Sequence, residues 1–178
     1  MKTKDIINIS LFTTLLAVCA WISIPTTIPF TMQTFAVFLA MLVLGGKKGT
    51  IVIFIYILLG VIGVPVFSGG TAGPGILLGA TGGYMIGWIF LGMILYASER
   101  LLIKRMKKAE IISLLVGLLI CYFFGTFWFI CIYMGGNTDI GFWSVFSVCV
   151  LPFVVPDLVK LTAAYTVSKR LRRILLRS

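Results

Sequence analysis

The chain contains no histidine, only five acidic residues and no Cys-x-x-Cys pair. These shortages exclude most enzyme chemistry. General acid–base catalysis near neutral pH relies on histidine or tuned carboxylates, and a metal site needs several such groups converging. Asp5, Glu99 and Glu110 stand at the edges of apolar stretches, Asp139 stands in a polar connection, and Asp157 alone lies inside an apolar stretch. No two carboxylates are placed to share a proton or bind a metal, so neither a catalytic residue nor a metal ligand is expected. The four cysteines, Cys19, Cys121, Cys131 and Cys149, fall within apolar stretches and read as buried packing thiols. Gly45-Gly46-Lys47-Lys48-Gly49 lacks the Gly-Lys-Ser/Thr ending of a phosphate-binding loop and the strand and helix that flank one. The chain is therefore not expected to hydrolyse ATP, and uphill transport would draw on another subunit or a coupled ion.

What the chain has in abundance is apolar surface. Its 178 residues are 60% hydrophobic and 11% charged, with a mean hydropathy of +1.14, a composition no ordinary soluble surface carries. Apolar stretches at 6–24, 30–44, 50–66, 84–98, 111–134 and 143–168 have roughly the 15 to 25 residues that a bilayer core demands. The expectation is a single membrane domain over residues 1–178, an all-α bundle of six transmembrane helices. The 30–44 stretch reaches only about 22 Å at a rise of about 1.5 Å per residue, so its ends should be buried among neighbours rather than set in headgroups.

Lys2 and Lys4 precede the first stretch, Lys47 and Lys48 follow the second, Arg100 to Lys108 join the fourth to the fifth, and Lys169, Arg170, Arg172, Arg173 and Arg177 end the chain. The connections around 25–31, 67–83 and 135–142 have no lysine or arginine. By the positive-inside rule both termini face the cytoplasm. The net charge of +10 follows from this topology and from anionic lipid rather than from nucleic acid, while contact with acidic groups on a cytoplasmic partner stays open. Met1-Lys2-Thr3-Lys4 resembles the start of a signal peptide, but five further spans favour a retained first helix. Leu16-Ala17-Val18-Cys19 lacks the small residue that lipoprotein processing needs before its cysteine. A multi-pass protein of a bacterial cytoplasmic membrane is expected.

Two regions stand out. Phe67 to Gly83 holds seven glycines in seventeen residues and no charge, mixed with Ile76, Leu77 and Leu78. A flexible linker would be polar and serine-rich, so this segment should fold back into the bundle. Non-helical backbone at membrane depth is tolerated when it is buried in protein or lines a cavity. The expectation is an outer loop that caps a ligand cavity; the alternative is tight helix packing through small residues. The second region is Leu151-Pro152-Phe153-Val154-Val155-Pro156-Asp157-Leu158-Val159-Lys160. Each proline removes a backbone donor and clashes with the preceding turn. A short helix over 142–150, a break and a new helix from Pro156 are expected, with Asp157 near the positive end of the new helix dipole.

A charged group in hydrocarbon costs about 2.5 to 3.5 kcal/mol even on lenient scales, so Asp157 and Lys160 need partners. At i, i+3 they share one helix face. They form either an ion pair that pins the last helix or a buried ligand site, and intramembrane ionisable residues favour the second reading.

Several separated motifs now converge. Ile24-Pro25 with Pro29-Phe30-Thr31-Met32-Gln33-Thr34, Leu44-Gly45-Gly46 with Gly49, Gly63-Val64-Pro65-Val66-Phe67-Ser68-Gly69-Gly70, Thr81-Gly82-Gly83-Tyr84-Met85-Ile86-Gly87 and Asp157-x-x-Lys160 span nearly the whole chain. Together they resemble BioY, the biotin-binding substrate component of energy-coupling factor (ECF) transporters. Ala80 stands where that family commonly has proline, and Val155-Pro156 where it often has Pro-Gly.

The resemblance implies high-affinity biotin capture and uptake, with no enzyme activity and no cofactor of its own. Asp157 would accept from a ureido N–H, and Lys160 would donate to the ureido carbonyl or to the ligand carboxylate. Gln33, Ser68, Thr81 and backbone N–H groups of Gly69 and Gly83 would complete the polar set, with Tyr84 and other aromatic side chains along the apolar part. The implied partners are a transmembrane coupling subunit of the EcfT type and two cytoplasmic ATPases. In place of the family's Ala-x-x-x-Ala docking surface, the first helix offers Thr13 and Ala17, with Ser10 and Thr14 as a second option. The rivals are a related component for another small vitamin, a transferase acting on lipid headgroups, which lacks the groups for that chemistry, and a purely structural bundle, which leaves the charge pair and glycine cap without a purpose.

Overall fold

The computed structural model describes residues 2–25, 28–101, 109–133 and 142–175. Lys104, Arg105, Lys107, Lys108, Arg177 and Asp139, named above for topology, lie outside the described residues. The protein is a helical bundle: α1 (Thr3–Trp21), α2 (Gln33–Val61), the short α3 (Pro74–Leu77), α4 (Gly82–Leu101), α5 (Ala109–Trp128) and α6 (Phe142–Leu175). Two-residue strands β1 (Ser23–Ile24) and β2 (Phe30–Thr31) pair antiparallel between α1 and α2, and a π-helical turn, Phe129–Tyr133, extends α5. Four described stretches are long and apolar enough to cross a membrane: Thr3–Trp21, Gln33–Val61, Ala109–Ile132 and Phe142–Ile174. Runs of leucine, isoleucine and phenylalanine become helices here because, away from water, every backbone group must be satisfied within its own segment.

Helix α2 is a hairpin. At Gly45 φ is +83° and ψ is 168°, a conformation glycine adopts without strain. A Cβ on Gly49 would lie 3.1 Å from Met41 Cα, and Gln33 Nε2 donates to Tyr56 Oη at 2.6 Å across 23 positions of sequence. Both contacts require the chain to double back, so limbs 33–44 and 46–61 lie antiparallel. Glu99 of α4 accepts from the Gly46 N–H at 2.8 Å and caps the second limb. These limbs account for the apolar stretches expected at 30–44 and 50–66.

Helix α6 overturns an expectation, for it runs unbroken through Pro152 and Pro156. Each proline removes one donor, and at i, i+4 the losses fall on one side of the helix. Neighbouring helices support the remaining turns, as is common for proline within membrane helices. Asp157 therefore sits mid-helix, away from any helix dipole terminus.

The interior is largely apolar with a few polar side chains set into it, and the outer surface is apolar as well. Gln33, Thr126, Asp157, Lys160 and Ser168 are buried, whereas Phe54, Leu119, Phe127, Leu151 and Val155 are exposed where lipid would lie. Helices α4 and α5 approach closely: a Cβ on Gly83 would meet Trp128 Cβ at 2.2 Å, one on Gly87 would meet Cys121 Sγ at 2.7 Å, and one on Gly125 would meet Tyr84 Cδ1 at 2.3 Å. Cys131, expected to be buried, is exposed, because an apolar stretch in a bilayer turns one face to lipid. Thr13 is likewise not presented for docking: it is buried, with Oγ1 donating to Ile9 O at 2.9 Å, and Ala17 is half-buried. Ser10 and Thr14 form the exposed small-residue face of α1.

Gly46 tests the hairpin. A Cβ there would stand 2.3 Å from the Tyr96 backbone nitrogen, so Gly46→Ala should destabilise the protein by about 1–3 kcal/mol, lowering its thermal midpoint by about 3–10 °C in detergent. An unchanged midpoint would contradict this packing.

Candidate ligand-binding site

The buried charges organise the site. Asp157 is 2% exposed and Lys160 7%. Asp157 Oδ1 accepts from Lys160 Nζ at 2.9 Å and from Thr34 Oγ1 at 2.8 Å, while Oδ2 accepts from Tyr122 Oη at 2.7 Å. Lys160 Nζ also donates to Thr34 Oγ1 at 3.0 Å and lies 4.4 Å from the centroid of the Phe30 ring, which stacks on Phe153. Thr34 begins the first limb of α2, Tyr122 lies on α5, and Phe30 belongs to β2. Three helices and the first loop thus converge on one ion pair. Each charge has its partners, which is the condition under which a pair can remain ionised away from water.

A second chain of hydrogen bonds holds the loop side. Thr31 Oγ1 donates to Gln33 Oε1 at 2.8 Å, Gln33 Nε2 donates to Tyr56 Oη, and Tyr56 Oη donates to Val66 O at 2.9 Å. Gln33 is fixed by β2 on one side and the second limb on the other. The Gln33 amide is thereby presented in one orientation.

A cavity opens between these groups. Counting its mouth, it holds about 730 Å³ of empty space. Gln33, Thr34, Ser68, Thr81, Tyr84, Tyr122, Asp157 and Lys160 supply its polar wall, and Phe67, Ile76, Met85, Trp88, Leu118 and Phe153 line the rest. The glycine-rich segment contributes Phe67, Ser68, Ile76 and Thr81, so it folds back over the cavity as expected. Of the residues expected to bind, Asp157, Lys160, Gln33, Ser68, Thr81 and Tyr84 are brought together on this wall. Gly69 and Gly83 are not. Gly69, at φ +67°, is exposed in the turn beside the cavity, and Gly83 is turned into the α4–α5 seam against Trp128.

The sequence reading missed Thr34, Tyr122, Phe30 and Phe153 as members of the site. A signal existed for Tyr122. A carboxylate has about four acceptor positions, more than one lysine fills, and Tyr122 is a hydroxyl inside an apolar run. Chemically, the ion pair gives the cavity a net-neutral end with donors and acceptors side by side, suited to a neutral polar ring, while the remainder suits hydrocarbon.

Removing one Asp157 partner should be measurable without ligand. Tyr122→Phe leaves a buried carboxylate oxygen with one donor fewer, at a cost of about 1–3 kcal/mol. The expected result is a thermal midpoint lower by about 2–10 °C, and no change would show that Tyr122 does not support the pair.

Residues 1–177 match the model of the BioY family. The chain is 38% identical over 173 residues to the probable biotin transporter BioY of Pyrococcus horikoshii, covering 97% of this chain and 98% of that relative. It is equally 38% identical to the biotin transporter BioY of Thermotoga maritima, over 96% and 97% of the two chains. The crystal structure of the S-component for biotin from an ECF-type ABC transporter matches with a TM-score of 0.82 at 26% identity, over 97% of this chain and 95% of that one. The protein is accordingly a multi-pass protein of the cell membrane and a transporter component rather than an enzyme. Agreement along nearly the full length, in sequence and in fold, places the chain in the BioY family.

Proposed function

We propose that this chain captures biotin as the substrate-specific component of an ECF-type transporter. The observation that carries the proposal is the cluster of Asp157, Lys160, Thr34 and Tyr122 at the neutral polar end of an otherwise apolar cavity. Biotin shares that division along most of its length: a ureido ring with two N–H donors and one carbonyl is fused to an apolar ring bearing a hydrocarbon chain, which ends in a carboxylate. Asp157 Oδ2, which accepts only from Tyr122 among the described residues, retains capacity for a ureido N–H. Lys160 supplies a positive charge within reach of a ligand acceptor, with Gln33, Ser68, Thr81 and Tyr84 as further contacts. The relatives named as biotin transporters and the solved biotin S-component support the choice of ligand.

The membrane arrangement consistent with this role has six spans: α1, the two limbs of α2, α4, α5 and α6. Both termini then lie on the cytoplasmic side, the orientation that the lysine and arginine placement favours. The cavity then opens outward and the chain performs no chemistry. A transmembrane coupling subunit of the EcfT type and two cytoplasmic ATPases supply the energy for reorientation and release.

Thermal stability of the detergent-purified protein across a panel of small vitamins tests the reading, since a ligand that binds the folded state raises its midpoint. Biotin is expected to give the largest shift. Asp157→Asn should weaken biotin binding by about 2–5 kcal/mol, partly by leaving Lys160 buried and unpaired. A larger shift with another vitamin, or full biotin affinity in that variant, would overturn the ligand or the site respectively.

A further inference from the structure

The elements that meet at Asp157 meet again at the opposite end of the bundle. Arg172, further along α6, donates through Nε to the carbonyl of Leu42 at the end of the first α2 limb. It also donates through Nη2 to Glu110 Oε1 at the start of α5, at 3.1 Å. At the other end, Asp157 holds Thr34 of the same limb and Tyr122 of the same α5. Limb 33–44, α5 and α6 are therefore clamped together twice, at points about 22 Å apart along α6.

Between the clamps α6 turns Leu161, Ala164 and Ser168 inward, all buried. Leu161 and Ala164 belong to the core and Leu171 packs against it, so small and large side chains alternate along this seam. The polar links at its two ends add to that packing in setting the register of α6. The two clamps differ in access: the Asp157 and Lys160 side chains are 3% and 8% exposed, whereas Glu110 and Arg172 are 23% and 34% exposed. The remote clamp is the one that a group outside the bundle can reach.

We propose that Arg172 is a positioning residue for the ligand site. By bridging Leu42 and Glu110 it fixes the register of α6 against the first limb, and so the distances of Asp157 and Lys160 from Thr34. Hydrogen bonds of 2.8 to 3.0 Å do not survive a shift of an ångström, so loosening the remote clamp loosens the hold on the ligand. The inference rests on the biotin reading above only for the choice of ligand.

The test uses the full chain in detergent and compares wild type with Arg172→Gln, the milder Glu110→Gln, the conservative Arg172→Lys and a control, Lys48→Gln. The control breaks the Lys48–Asp5 ion pair, which joins α2 to α1 and does not involve α6. Two quantities are read: the biotin dissociation rate, and the rate at which a small thiol reagent modifies the cavity-lining Cys149 in ligand-free protein, assigned by mass spectrometry. Arg172→Gln and Glu110→Gln should each speed dissociation about 5- to 10-fold and modification of Cys149 about threefold, with Arg172→Lys restoring part of both and Lys48→Gln changing neither. Wild-type rates in both clamp variants, or equal acceleration in Lys48→Gln, would overturn the proposal. If wild type fails to bind biotin, the ligand assignment falls while the Cys149 rates still decide the role of the clamp.

Discussion

The structure is organised around one buried carboxylate. Asp157 is almost wholly buried, and its own helix supplies only Lys160. The remaining donors come from elsewhere in the chain, Thr34 from the first limb of α2 and Tyr122 from α5, so satisfying the charge also fixes how three segments lie against one another. The Phe30 ring over Lys160 extends the same constraint to the short β pair of the first loop. A pair held this way is only weak evidence of stability, because an apolar core of equal volume can be as stable. Its presence is better explained by what a neutral, polar patch in an apolar cavity can recognise.

The glycines divide into two groups with different physical tasks. Gly45 permits a reversal within a run of residues that would otherwise continue as one helix, and this reversal delivers Gln33 and Tyr56 to the same level. Gly83, Gly87 and Gly125 instead remove bulk from the α4–α5 seam, bringing the backbones close enough for Cys121 Sγ to reach the Tyr84 carbonyl at 3.3 Å. The cavity lies between the hairpin made by the first group and the seam made by the second.

Much of this was legible in the chain. Hydropathy found the helical stretches, including the two limbs of α2, because a glycine pair followed by two lysines interrupts an apolar run. The isolation of Asp157 and Lys160 pointed to the site, since charge within hydrocarbon is rare enough to be informative by itself. Local rules failed where tertiary support outweighed them. Pro152 and Pro156 argued for a break, yet α6 continues because each proline costs only its own hydrogen bond when neighbours hold the helix. Gly83 was expected among the ligand contacts, but Trp128 packed against it sets it in the α4–α5 seam instead. Thr34 was invisible as a partner of Asp157 because 123 positions separate them, while Tyr122, 35 positions away, was marked only as a hydroxyl inside an apolar run.

The pairing of Asp157 with Lys160 has an electrical consequence. A membrane potential does work of about 2.3 kcal/mol on each elementary charge moved through 100 mV, but it acts on net charge. Two opposite unit charges 2.9 Å apart on one helix carry none. Tilting or translating α6 through the bilayer field would therefore require almost no electrical work at the binding end, so the voltage across the membrane would neither drive nor oppose the site's movement through this pair.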